Sequence, residues 1–142
     1  MEYHFLIHKE DGGYWTECLE LQGCQTQADT LGELKENARE ALELYLGEPE
    51  NSRVIFNLPK PRPSKRNIMT VSVPPTLAFA MLLRQARVLR KLTQRQAADL
   101  LEIKHISAYQ RLESPESSNP ELKTLSKVKR VFPEIAIDFV LG

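Results

Sequence analysis

The stretch PKPRPSKRN, from Pro59 to Asn67, constrains this chain more than any other. Prolines at alternate positions remove backbone donors and clamp φ, so neither a helix nor a central strand can run through it. The cations Lys60, Arg62, Lys65 and Arg66 keep the same stretch in water. The chain must therefore fold as one thing before the break and another after it. Before it, apolar residues alternate and turn residues are frequent; after it, apolar residues recur at helical spacing. Residues 59–75 are accordingly read as a Pro-rich linker between a domain over 1–58 and a domain over 76–142.

Charge divides near the same place. The 142-residue chain is formally neutral, yet Met1 to Glu50 holds twelve acidic and three basic residues, a balance of −9. Asn51 to Gly142 holds sixteen basic and seven acidic residues, a balance of +9. Such segregation implies different partners for the two ends. The longest apolar run, near Leu77 to Leu83, is far below the roughly 18 residues that cross a bilayer. No basic stretch leading into an apolar core opens the sequence, which points to a cytoplasmic protein with no membrane role. Cys18 and Cys24 fit no metal-knuckle spacing and read as small buried residues.

In the first block, Tyr3, Phe5 and Ile7 share one side of a strand, and Asp11-Gly12-Gly13 forms a turn. GYWTECLEL is a second strand and CQTQ a third. Thr30 and Glu33 form a capping box ahead of a helix that ends near Gly47. Its apolar stripe is Leu34, Ala38, Ala41 and Tyr45, with Leu31, Leu42 and Leu46 beside it. RVIFNLP, Arg53 to Pro59, reads as the next strand, and IMTVSVPP as a short strand ahead of the second domain. The first domain is thus β-β-β-α-β, and the whole chain α+β, with an all-α second domain.

In the second block, Leu82, Leu83, Ala86 and Leu89 face one way while Arg84, Arg87, Arg90 and Lys91 crowd elsewhere. TQRQAADLLEIKHISAYQRLE, Thr93 to Glu113, reads as two short helices joined by a corner. Thr93 and Gln96 make a second capping box, and Ala97 and Ala98 are small enough for a close crossing. Leu100, Leu101 and Ile103 lie between the helices, and Ile106, Tyr109 and Leu112 line the inner side of the second. Ser107, Ala108, Gln110 and Arg111 then face outward, with Lys104 and His105 at the approach and Gln94 and Arg95 opening the first helix. The outward N-terminal part of the second helix is what meets base edges in a helix-turn-helix, and Gln and Arg match adenine and guanine edges. The same periodicity also suits a helical hairpin that touches no nucleic acid; the basic block favours DNA. Leu122, Leu125, Val128 and Phe132 mark another helix after Asn119-Pro120. The apolar tail IAIDFVLG should dock on its own domain or on a partner subunit.

These residues resemble the XRE/Cro-like helix-turn-helix family. Thr93-Gln94, the small residues after it, Glu113 at the closing position and SNPELKTL carry the likeness. The family's turn glycine is absent, and Glu102 to His105 holds one residue more than usual, so the base-facing register follows to within one residue. The resemblance implies a dimer on operator DNA, with Gln94, Arg95, Lys104, His105, Ser107, Ala108, Gln110 and Arg111 as DNA-binding residues.

DGGYWTECLELQGCQTQADTLGELKENAREALELYL is similar to the N-terminal domain of the HicB family. The match runs through Leu21-Gln22-Gly23-Cys24, Thr26, Asp29-Thr30, Asn37 and Glu40-Ala41, with Ala28 where the family has glycine. It implies a partial ribonuclease-H-like fold and an antitoxin whose acidic domain covers the active site of HicA, a small basic RNA-cleaving toxin. It also implies that the DNA-binding half represses the shared operon. Asp11, Trp15, Glu17 and Glu20 are the expected toxin face. The enzyme alternative, a metal-dependent nuclease, needs converging carboxylates. Neither Tyr3 to His8 nor Arg53 to Leu58 supplies one, and Glu33, Glu36, Glu40 and Glu43 have no converging partners. His4 and His8 lie about 13 Å apart along one strand face, too far to share a metal. No catalytic residue, metal site or cofactor is expected. The remaining alternative is a Cro-like regulator whose first domain binds a small ligand or another protein.

Overall fold

Gly12 takes φ 83°, a conformation that costs glycine little. It reverses the chain between β1 (Glu2–Glu10) and β2 (Gly13–Cys18). The next residue, Gly13, is also confined: a Cβ there would lie 2.9 Å from the Ala28 carbonyl oxygen. The structure, a computed structural model, describes residues 1–142. It divides into two compact units, Met1–Leu46 with Phe56–Val73, and Gly47–Ile55 with Pro74–Gly142.

In the first unit, β3 (Gln25–Ala28) and α1 (Leu31–Leu46) follow the hairpin, and β4 (Ile68–Ser72) completes a sheet ordered β3-β2-β1-β4, antiparallel throughout. Register sends Tyr3, Phe5, Thr16, Cys18 and Val71 to one face, where all are buried. Leu34, Ala38, Leu42 and Leu46 of α1 are buried as well, the i, i+4 stripe of a helix lying on a sheet. Ala41 and Tyr45 are half-buried and Leu31 is exposed, so the core stripe is narrower than the sequence pattern. Thr30 Oγ1 accepts the Glu33 N–H at 3.2 Å at the helix start. Asn37 Nδ2 donates to Gln27 O at 3.0 Å, and Tyr45 O–H donates to Gln22 O at 2.7 Å, pinning α1 to the β3 side of the sheet.

The fourth strand is not where the sequence pattern puts it. Arg53 to Pro59 forms no ladder; β4 is Ile68–Ser72, the short strand expected ahead of the second domain, and it joins the first sheet from within residues 59–75, read as linker. Part of the failed strand is held by side chains instead. Tyr3 O–H donates to Asn57 O at 2.8 Å, and Asn57 Nδ2 donates to Glu20 O at 3.1 Å. The prolines that follow cannot donate to a neighbouring strand. IMTVS, by contrast, pairs Glu2↔Ser72 through Leu6↔Ile68 along β1.

The second unit holds α2 (Pro75–Leu89), α3 (Gln94–Leu100), α4 (Ile106–Leu112), α5 (Leu122–Val131) and α6 (Ile137–Leu141). Pro75 opens α2, a position where its missing N–H is harmless. Every residue from Leu77 to Arg87 is buried, so α2 is the central helix of this unit. Arg84 and Arg87 therefore belong to the interior and not to a basic outer face, while Leu89 is exposed. The tail docks on its own unit: α6 packs against α2, with Ile135 and Val140 buried. No helix is long and apolar enough to cross a membrane.

Candidate nucleic-acid interface and partner surface

The corner between α3 and α4 is built from its caps. Thr93 Oγ1 accepts the Gln96 N–H at 3.0 Å, and Gln96 Oε1 accepts the Thr93 N–H at 2.9 Å, a complete capping box. At the other end α3 closes without glycine. Glu102 itself takes φ 59°, donating its N–H to Asp99 O at 3.1 Å, while the Ile103 N–H reaches back to Ala98 O at 2.8 Å. These are the two bonds of a Schellman ending. Arg95 reinforces the turn: its Nη2 lies 2.8 Å from Asp99 Oδ1 and 3.2 Å from the carbonyls of both Ile103 and Lys104. The half-exposed guanidinium of Arg95 is thus also bound into the corner.

An L-residue in the left-handed region costs about 1–2 kcal/mol, and glycine relieves most of it. The Glu102–Lys127 ion pair, 3.4 Å long with Glu102 largely exposed, offsets little. Glu102→Gly is therefore expected to raise the melting temperature of the helical unit by about 4 °C, read by thermal denaturation.

On α4, Tyr109 and Leu112 are buried and Ile106 half-buried, the inner side expected for a second helix. Lys104, His105, Ser107 and Arg111 are exposed. Ala108 and Gln110 are half-buried and so less outward than their spacing suggests. Gln94, at the first turn of α3, meets α4 directly: Gln110 Nε2 donates to Gln94 Oε1 at 3.1 Å.

Behind this surface lies a buried charge network. Glu113, 1% exposed, accepts from Arg87 Nε at 2.6 Å and from Arg87 Nη2 at 3.0 Å, and it also accepts from the Tyr109 hydroxyl. Burial disfavours the Arg87 charge, but the hydrogen bonds and field of Glu113 outweigh it and raise the Arg87 pKa. Burial, then the Glu113 charge, pushes the Tyr109 hydroxyl well above the usual phenol range. The network ties the C-terminal end of α4 to α2.

The first unit offers a different surface. The sheet face opposite α1 carries His8 and Trp15 from paired positions, stacked with ring centroids 3.9 Å apart. Trp15 Nε1 donates to Glu10 Oε1 at 3.0 Å, and His8 Nε2 lies 3.7 Å from Glu17 Oε1. Beside them a groove of about 390 Å³ is lined by Glu10, Asp11, Tyr14, Trp15, Asp29 and Glu33. Asp11, Trp15 and Glu17 thus lie at or near one surface, Asp11 exposed and the other two half-buried. Glu20 does not join them. It is 6% exposed, and its carboxylate accepts from the His4 N–H at 2.9 Å and the Lys60 N–H at 3.1 Å, with His4 Nδ1 at 2.8 Å. Both cysteines are free and buried, and a hydrogen bond to Cys24, then burial, pushes the Cys18 thiol up. No group of three or more His, Cys, Asp or Glu side chains is placed to hold a metal ion.

Residues 83–139 match the helix-turn-helix family (HTH_3), and this part of the chain is a helix-turn-helix domain, the class used by DNA-binding regulators. Over 75 residues the chain is 36% identical to a UPF0150 protein of Helicobacter pylori, covering 53% of this chain and 93% of the relative. The chain belongs to the UPF0150 family. A UPF0150 protein of Archaeoglobus fulgidus is 42% identical over 52 residues, 36% of this chain and 75% of its own length. With UPF0150 protein ssr1765 of Synechocystis sp. the identity is 49% over 45 residues, 31% of this chain; the match spans 57% of that relative's length.

In this UPF0150 chain, sequence reasoning missed the left-handed Glu102, the interior roles of Arg84 and Arg87, and the His8–Trp15 stack. Only the last carried a local signal: the two residues flank a tight Gly turn at positions that a hairpin register brings opposite each other.

Proposed function

We propose that this chain is an antitoxin that binds and neutralises a HicA-type mRNA-cleaving toxin and represses its own operon by sequence-specific DNA binding, acting in the bacterial cytoplasm as a dimer or larger oligomer. The observation that carries the reading is the joining, on one chain, of an acidic helix-backed sheet with an aromatic open face to a helix-turn-helix unit in the basic half. The HicB resemblance of Leu21-Gln22-Gly23-Cys24 and the helix after it supports the first part. A carboxylate-lined groove beside Trp15 suits a cationic partner surface, since complementary charge speeds encounter and disfavours wrong partners. Glu20 is left out of that surface, and no reaction is assigned to the chain.

Co-expression with the neighbouring gene for a short basic protein tests the antitoxin role. The two are expected to co-purify, and growth arrest by the neighbour alone should be relieved by this chain. Failure to associate leaves a helix-turn-helix regulator with a different ligand on its first domain. Arg111→Ala is expected to weaken operator binding by about 1–3 kcal/mol if it reads a base, or to lower the salt slope by about one if it contacts phosphate. Neutralisation of the toxin should be unchanged. Gel shifts across a salt series separate the two outcomes.

A further inference from the structure

The segment Gly47–Ile55 leaves α1 yet packs within the helical unit. Its carbonyls are taken by side chains of α2 and α3. Arg84 Nη1 donates to Ser52 O at 3.1 Å and to Val54 O at 2.6 Å. Arg87 Nη2 donates to Glu50 O at 3.3 Å, and Gln94 Nε2 donates to the same oxygen at 3.1 Å. Arg84 is 1% exposed, so the segment is gripped from inside the unit and not by a solvated surface contact.

The bond to Gln94 has a polarity that propagates. A carbonyl oxygen only accepts, so Glu50 O determines which end of the Gln94 amide turns toward it. With Nε2 held there, Oε1 faces α4 and accepts from Gln110 Nε2 at 3.1 Å. That bond orients the Gln110 amide in turn, leaving its Oε1 and its second N–H for a base edge. A glutamine presenting one acceptor and one donor side by side matches adenine N6 and N7. Without the first bond either amide can flip, exchanging donor for acceptor at the end of the chain.

We infer that Gly47–Ile55 is a strap that sets the base preference of the DNA-reading surface by fixing the amides of Gln94 and Gln110, with Arg84 as its positioning residue. This rests on the DNA-binding reading above. The strap follows directly on α1, so the segment leaving the sheet unit is part of the machinery that reads DNA.

The test uses the full chain and a randomised duplex pool. The parent is expected to enrich one sequence and to prefer it about tenfold over single-base-pair variants at the positions Gln110 reads. Arg84→Met keeps a buried apolar stem without the guanidinium, and Gln94→Met removes the amide that links Glu50 O to Gln110. Both are expected to reduce that preference to about twofold or less. A ratio between duplexes cancels any uniform loss of affinity. In the parent the side-chain NH₂ signals of Gln94 and Gln110 should exchange slowly with water. In Arg84→Met both should exchange fast while the backbone amide spectrum of α3 and α4 is retained. Should Arg84→Met fail to fold, Gln94→Met carries the test, since methionine is a good helix former at a half-buried position. Unchanged preference in a folded variant overturns the strap and leaves DNA binding standing. A parent that enriches no sequence overturns the DNA-reading assignment and the strap with it.

Discussion

Glu113→Ala is expected to destabilise the helical unit by about 3–5 kcal/mol. The side chains of Arg87 and Glu113 are 9% and 0% exposed, so removing the carboxylate strands a guanidinium where water cannot replace its partner. The Tyr109 hydroxyl loses its acceptor in the same step. Against a typical domain stability of about 5–15 kcal/mol, this is enough to leave much of the population open at 37 °C. Hydrogen exchange of the α3 and α4 amides measures it, because α4 is held to α2 through this network and α3 packs on α4. The double variant Arg87→Met/Glu113→Leu should recover most of the loss, since a well-packed apolar pair often replaces a buried ion pair at no net cost. A loss below about 1 kcal/mol in Glu113→Ala would show that the pair is solvated in practice.

That network also shows where sequence reasoning runs out. Local patterns read well: the Gly12 turn, the extent of α1 with Leu34 and Ala38 in its core stripe, the Thr93–Gln96 box and the buried Tyr109 and Leu112 all depend on residues within a turn or two of one another. The sequence pattern sets Arg84 and Arg87 only apart from the apolar side of their helix, and their interior role stays hidden because the groups that satisfy them are distant in sequence: Glu113, and the carbonyls of Glu50, Ser52 and Val54. The same pattern assigns the sheet's fourth place to RVIFNLP and leaves IMTVS, itself read as a strand, outside the sheet, for a related reason. RVIFNLP has the better β composition, but strand identity depends on a partner edge, and β1 offers its free edge to Ile68–Ser72. At the α3–α4 corner the absent glycine concealed a left-handed turn that Glu102 adopts anyway, with Arg95 bound to the carbonyls beyond it. Alternation along a strand can mark which residues leave the core, but not which exposed side chain meets a partner or a base.

Glu20 is buried although it lies in the acidic block. Its position at the end of the second strand, in an acidic block, makes a surface role the natural sequence reading. The structure makes it an internal acceptor whose donors come from residues 16 and 40 positions away. Glu20→Ala would leave the buried His4 N–H and imidazole without their partner, at about 1–3 kcal/mol for each unsatisfied group. The Lys60 N–H, only part-buried, adds less because water can reach it. A loss of about 2–4 kcal/mol is expected for the sheet unit. The chain's single Trp, Trp15, lies on β2, so its fluorescence during urea unfolding follows this unit. Glu20→Gln should fall between parent and alanine variant, because an amide keeps one acceptor oxygen but turns an NH₂ toward a remaining donor. Glu17→Ala provides the contrast. Its carboxylate is half-exposed with a single long contact to His8, so stability should move by no more than about 0.5 kcal/mol. If Glu20→Ala unfolds like the parent yet loses its protein partner, Glu20 belongs to the interface after all and the buried network is not what holds it. If it unfolds early while Glu17→Ala folds normally and binds weakly, the two acidic residues have separated into the roles the geometry assigns: one inside the fold, the other on the surface a cationic partner would meet.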